Sequence, residues 1–222
     1  VANFKNMLHL VLQKNQLSML LKINIENPEP RKIEQVADIL RNGGIIIYPT
    51  DTVYGLGCDI NNNDAVEKIC RLRRLEPEKA MLSFICKDIS QITDYALPID
   101  NQVFRMMKKN LPGAFTFVLN SNNKVPKMFK NRKRTIGVRV PNHNISLAIV
   151  EALGHPILTT SLKSDDEVLE YFTDPIDIYD DFQKLVDIVI DGGICGNIPS
   201  TIIDCTGSEL EIIREGAGEL VY

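Results

Sequence analysis

A single α/β domain, with a twisted mixed parallel and antiparallel sheet and flanking helices, is the fold class this sequence predicts. Segments of helical periodicity alternate with short runs of β-branched residues, the pattern of a layered sheet. The last two such runs stand too close together for a crossover helix and read as an antiparallel pair, so the sheet is mixed. No internal repeat or linker interrupts the 222 residues, and a chain of that length with 44% hydrophobic content buries one core.

Residues 1–18 read as a leader or a surface extension, and 19–222 as the domain. Alternation starts after Met19, with Leu21, Ile23 and Ile25 apolar and Lys22, Asn24 and Glu26 polar, as in a half-buried strand. Residues 31–41 place Ile33, Val36, Ala37 and Leu40 on one helical face, and Asn42-Gly43-Gly44 stops that helix. The continuous apolar run 45–48 reads as a strand buried on both faces and is expected at the sheet centre. A long loop follows it. Residues 64–73 then read as helix, 81–86 as strand, and 89–95 and 102–110 as helices, before Leu111-Pro112-Gly113 breaks the pattern. Strands are expected at 115–119 and 135–140, a helix at 145–153 closed by Gly154, and a buried strand at 157–160. A polar loop holding Asp165, Asp166 and Glu167 leads to a helix around 178–185 and strands at 188–190, 201–204 and 212–214.

Composition narrows the function. The formal charge of −4 gives no global attraction to nucleic acid, so any RNA contact would need a local basic surface. Five cysteines at 58, 70, 86, 195 and 205 form no C-x-x-C pair, which argues against a metal centre and for buried thiols in a reducing, cytoplasmic setting. No apolar run approaches the roughly 18 to 20 residues that a membrane span needs. P-loop, dinucleotide-binding, H-E-x-x-H and G-x-S-x-G motifs are all missing, and His143 and His155 lie in turns beside prolines without a cysteine or serine partner.

The densest chemistry is Pro49-Thr50-Asp51-Thr52-Val53-Tyr54-Gly55-Leu56-Gly57, which packs two hydroxyls, a carboxylate and a phenol directly after a buried strand. In layered sheets ligands bind at strand ends, where glycines let the backbone come close and hydroxyls donate. Arg71-Leu72-Arg73-Arg74, with Lys79 beyond it, is either a phosphate-binding cluster or a solvated helix end. Arg139, inside the apolar strand Thr135-Ile136-Gly137-Val138-Arg139-Val140, demands an anionic partner when buried, either a ligand or a carboxylate such as Asp51. Thr159-Thr160-Ser161 and Pro199-Ser200-Thr201 repeat the pattern of hydroxyls at strand termini, and Arg214 adds a cation near the last strand's end.

Taken in order, G-G-I-I-I-Y-P-T-D-T-V-Y-G-L-G, L-P-G-A-F-T-F-V-L, T-I-G-V-R-V-P, I-L-T-T-S, P-S-T-I-I-D and I-R-E-G resemble the motifs of the YrdC/YciO family over residues 19–220, closest to its YciO-like branch. The resemblance implies a sheet folded around a concave, positively charged cavity. It also implies a nucleotidyltransferase that makes threonylcarbamoyl adenylate from threonine, bicarbonate and ATP, with magnesium accompanying the ATP and no tightly bound cofactor. The product would feed a separate transferase that modifies tRNA adenosine; the alternative role is a double-stranded RNA or tRNA-binding, translation-associated protein without synthase activity. By the same resemblance Thr50, Thr52, Arg139 and Ser200 contact the threonine or carbamate, while Arg71, Arg73, Lys79, Thr116, Ser161 and Arg214 contact ATP. Such chemistry needs anions positioned and neutralised, with no catalytic nucleophile from the protein. Two positions depart from the family pattern: Arg71 stands where a lysine is usual, and Lys163 where an asparagine is usual.

Overall fold

The computed structural model describes residues 18–74, 82–126, 134–163 and 171–221. Strand β1 (Met19–Lys22) leads into helix α1 (Pro30–Arg41), where Pro30 supplies a preset φ in the first turn and Ile33, Val36, Ala37 and Leu40 form the buried stripe. Strand β2 (Ile46–Tyr48) turns back as β3 (Gly55–Asp59), and helix α2 (Asn63–Leu72) starts at an Asn62 cap whose side chain accepts from Ala65 N–H. Strand β4 (Ser83–Ile85), short helix α3 (Ile89–Thr93), α4 (Asn101–Asn110), β5 (Phe115–Asn120) and β6 (Thr135–Arg139) follow. Helix α5 (Asn144–Leu153) ends at Gly154, whose φ of 84° is the left-handed closure that glycine adopts freely. Then come β7 (Ile157–Ser161), α6 (Pro175–Phe182), β8 (Ile188–Asp191), β9 (Thr201–Asp204) and β10 (Glu211–Arg214).

These strands form one ten-stranded sheet in the order β1-β8-β2-β3-β7-β4-β6-β5-β9-β10. It is mixed, as expected: β8 lies parallel to β1 and β2, β7 is antiparallel to β3 and β4, and the closing β9–β10 pair is antiparallel. Two apolar layers cover its faces. On one, α1 and α5 pack through Val36, Leu40, Ile149 and Val150 against Ile46, Tyr48, Ile85, Ile157 and Ile188. On the other, Ile47, Leu56, Phe84, Phe117, Val138, Leu158 and Ile203 meet Ile69 of α2, Ile92 of α3, Met107 of α4 and Ile178 of α6. All five cysteines are free; Cys58, Cys70 and Cys86 are core residues and the other two are half-buried.

Three expectations need correction. The run 45–48 is fully buried, yet β2 is third from the β1 edge and the sheet centre is β7 and β4. Its burial comes from helices above and below rather than from centrality. The expected long loop after it contains a strand, β3, in which Gly55 and Gly57 are internal. The final helix starts and ends about a turn earlier than periodicity indicates, because Asp174 caps it through Ile176 N–H and Pro175 opens it. Asp165, Asp166, Glu167 and residues 1–17 lie outside the described residues.

Candidate functional site

Side chains directly opposite one another in a ladder share a sheet face. Tyr48 pairs with Gly55, Gly55 with Ser161, Gly57 with Thr159, Thr159 with Ser83, and Ser83 with Gly137. Gly137 continues to Val118, two residues from Thr116, and Thr116 to Ile202, which faces Arg214. Tyr48, Ser161, Thr159, Ser83, Arg139, Thr116, Ser200 and Arg214 therefore share the face on which α1 and α5 pack. Those helices cover its apolar end; beyond them it carries hydroxyls and cations. Glycine keeps the floor low: a Cβ on Gly57 would meet the Tyr48 ring at 2.9 Å, and one on Gly137 would meet Ser83 Oγ at 2.7 Å. The Tyr48 hydroxyl, lying across β3, donates to Thr159 Oγ1 at 2.8 Å.

The connection from β2 to β3 is the Thr-rich motif. Its shape is set locally: the Thr50 hydroxyl donates to Val53 C=O at 2.6 Å and accepts from Thr52 N–H at 3.2 Å. The Thr52 hydroxyl, almost wholly buried, meets that of Thr50 at 3.2 Å. Ser146 of α5 donates to Pro49 C=O at 2.7 Å, fixing the motif to the helix start. From the other side the 192–199 segment presses on it. Tyr54 donates to Gly193 C=O, the Cys195 thiol lies 3.5 Å from Thr50 C=O, and a Cβ on Gly196 would come within 2.8 Å of Thr52 O. Burial pushes the Cys195 thiol up to about 11, so it is no nucleophile near neutrality.

Arg139 has an internal partner. Its Nη2 lies 2.5 Å from Asp51 Oδ1, and Asp51 Oδ2 accepts Asn142 N–H at 3.0 Å. Arg139 is 7% exposed, and among the described residues its buried Nε has no hydrogen-bond partner. His143, next along the chain, also keeps a buried Nδ1 without a partner; burial holds it below the ordinary histidine value, against the opposing pull of Asp51.

Thr116 and Ser200 meet hydroxyl to hydroxyl at 2.8 Å, and Arg214 forks onto Ser200 C=O through Nε at 3.1 Å and Nη2 at 2.7 Å. Arg214 reaches this face through a bulge. Glu211 pairs with Asp204 and Ile212 with Ile203, but the register then slips at Ile213 and places Arg214 opposite Ile202. An unbroken ladder would have turned Arg214 to the other face. Desolvation lowers its basicity, and nearby Tyr171 opposes that.

Arg73, at the end of α2, reaches the end of β7, where its Nη1 donates to Lys163 C=O at 2.9 Å. Arg71 turns away instead: it is 55% exposed on α2 and meets Glu67, through its main-chain carbonyl at 3.3 Å and its carboxylate at 3.6 Å. Lys79 lies outside the described residues. Ser83, Tyr48 and Tyr171 belong to the site without having stood out in the sequence; the serine interrupting an apolar strand was the one available signal. Among the described residues no three His, Cys, Asp or Glu side chains converge on a metal position, and both Asp51 oxygens are engaged by protein donors. The donor set thus offers magnesium no open carboxylate there.

A mixed sheet with arginines and hydroxyls gathered at strand ends on one face is an α/β arrangement whose donors suit an anion. The Sua5/YciO/YrdC family model, described as telomere recombination, matches residues 38–216, and the chain belongs to that family. The uncharacterized protein YciO of Escherichia coli (strain K12) is 42% identical over 206 residues, covering 92% of this chain and 98% of the relative. The crystal structure of E. coli YciO superposes with a TM-score of 0.86 at 41% identity, over 91% of this chain and 98% of that one. A threonylcarbamoyl-AMP synthase of Saccharophagus degradans is 34% identical over 149 residues, 64% of this chain and 78% of the relative. P. abyssi Sua5 complexed with L-threonine superposes at a TM-score of 0.80 and 28% identity, over 90% of this chain and 58% of that one.

Proposed function

We propose that this chain is an ATP-dependent carbamoyl-adenylate synthase, using threonine or a related amine with bicarbonate. Amine and bicarbonate combine with loss of water to give a carbamate. A carbamate oxygen attacks the α-phosphorus of ATP, the bond to the β-phosphate bridging oxygen breaks, and pyrophosphate leaves with that electron pair. Three anions must be held together and neutralised, which oriented donors and arginines do without a protein nucleophile. Thr50, Thr52 and Arg139 surround the amine and carbamate end, with Ser200 at its border. Arg73, Thr116, Ser161 and Arg214 hold the nucleotide, and magnesium rides on the ATP phosphates. Arg71 reaches ATP only by leaving Glu67. The product would supply a transferase acting on tRNA adenosine in the cytoplasm.

The observation that carries this proposal is the Thr116–Ser200–Arg214 cluster on the same sheet face as Tyr48, whose strand runs directly into the buried Thr50–Thr52 hydroxyls. It is supported by the likeness to a protein solved with L-threonine and to a threonylcarbamoyl-AMP synthase. The test is pyrophosphate release from ATP by the purified protein, with and without threonine and bicarbonate. Release that needs both and disappears in Thr52→Ala supports the synthase. ATP binding without release would restrict the role to nucleotide binding, and RNA affinity that falls steeply with salt, without turnover, would favour the RNA-binding alternative.

A further inference from the structure

Strand β7 carries the site-facing series at every second residue. Ile157, Thr159 and Ser161 share the face with Tyr48 and Ser83, while Leu158 lies in the opposite core together with Leu162. The pairing with β3 continues past the strand's formal end, because Leu162 N–H donates to Tyr54 C=O at 2.8 Å. The next residue, Lys163, falls on the site face, half-buried, beside the Thr-rich connection. Three further observations place it among cations. Its carbonyl accepts from Arg73 Nη1. Its backbone forms an antiparallel bridge with Tyr171, and Tyr171 is the group that favours the charged form of Arg214. Arg73 thus meets the Lys163 backbone directly and Tyr171 connects that backbone toward Arg214, and the described residues offer no acidic cluster for a divalent ion.

We propose that Lys163 is a specificity-determining residue whose ammonium neutralises the nucleotide polyphosphate where a magnesium ion would otherwise act, so that the site accepts metal-free ATP. This rests on the nucleotide site proposed above and deepens it. A lysine ammonium is a compact point charge with three donors on a flexible stem, suited to following a polyphosphate chain, while the planar forks of Arg73 and Arg214 are committed to main-chain carbonyls. Two arginines and a lysine around a triphosphate supply much of the charge compensation that the metal supplies elsewhere.

The test is ATP affinity by calorimetry for the wild-type chain, Lys163→Asn and Lys163→Arg, each in EDTA and in excess magnesium, with thermal unfolding as a check on folding. Wild type is expected to bind ATP within about threefold in the two media. Lys163→Asn is expected to lose roughly tenfold in EDTA and to recover most of that loss in magnesium, while Lys163→Arg keeps most of its metal-free affinity. A merely structural role would lower affinity equally in both media, and that outcome overturns the inference, as does unchanged affinity in Lys163→Asn. Wild type that binds ATP only with magnesium overturns it too, while leaving the nucleotide site standing. Wild type that binds no ATP in either medium overturns the proposed function itself.

Discussion

Arg139 and Asp51, which are 88 positions apart in the chain, form an ion pair of 2.5 Å in which the arginine side chain is 8% and the aspartate side chain 13% exposed. Removing one member of a buried pair leaves the other charge uncompensated, which costs more than the pair contributes net. Asp51→Ala is therefore expected to destabilise the fold by about 3 kcal/mol in urea unfolding. Asp51→Ala combined with Arg139→Met should recover a substantial part of that loss, because the stranded charge is gone. A double variant as unstable as the sum of its singles would show that the two residues act independently.

The Tyr48 ring and the glycines of β3 form a second interdependent unit. A Cβ at residue 57 would lie 2.8 Å from Ile157 Cγ2 and 3.1 Å from Leu158 O, besides striking the ring. The neighbours are sheet backbone and fully buried side chains, which yield little. Gly57→Ala should cost about 2 kcal/mol by overpacking. Tyr48→Phe, which keeps the ring but removes the bond to Thr159, should cost about 1 kcal/mol. Equilibrium unfolding of both variants separates the two effects.

These two units also show how far the sequence could be read. Most strands were visible because apolar β-branched runs reveal burial, and the helices because their stripes recur at the helical period, as in Ile33, Val36, Ala37 and Leu40. Strand β3 was invisible because Gly55-Leu56-Gly57 has the composition of a loop. Its glycines answer to a tyrosine on the neighbouring strand, and local propensity cannot register that demand. Asp51 could be named from the sequence as one alternative partner for Arg139, but choosing it required the β2–β3 connection to be folded against the end of β6. Arg71 and Arg73 look equivalent two residues apart, yet on a helix end that spacing sends them in different directions: one to Glu67, the other to Lys163.

The bulge at Ile213 gives a third prediction, because it decides which face Arg214 occupies. Deleting Ile213 removes the extra residue and leaves a regular ladder in which Arg214 still faces Ile202, on the side of Ser200. ATP affinity should then stay within about threefold of wild type, whereas Arg214→Ala should lose roughly tenfold because a charge-assisted contact is gone. β10 is an edge strand with Ile212 and Ile213 exposed, so the deletion should barely lower the melting temperature. Affinity as low in the deletion variant as in Arg214→Ala would mean that the pairing of Arg214 with Ile202 is not what places it toward ATP.

His143 gives a stability prediction that depends on pH. Its value is held below the ordinary 6.5, first by burial, with Arg139 acting in the same direction and Asp51 against it. A depressed histidine means that the unfolded chain takes up the proton more readily than the folded one, so acidification favours unfolding. The contribution is present above about 6.5, the ordinary histidine value, and is lost as the pH falls through the lower value of the folded state. The other groups that titrate in this range remain in a His143→Gln variant, so the comparison isolates one residue. The urea midpoint of the wild-type chain should drop more steeply between pH 7 and pH 5 than that of His143→Gln. Parallel curves would mean that His143 binds its proton equally well in both states, which requires the buried Nδ1 to find a partner on protonation. The Asp51 carboxylate, already engaged by Arg139 and Asn142, is the acidic neighbour that would have to provide it.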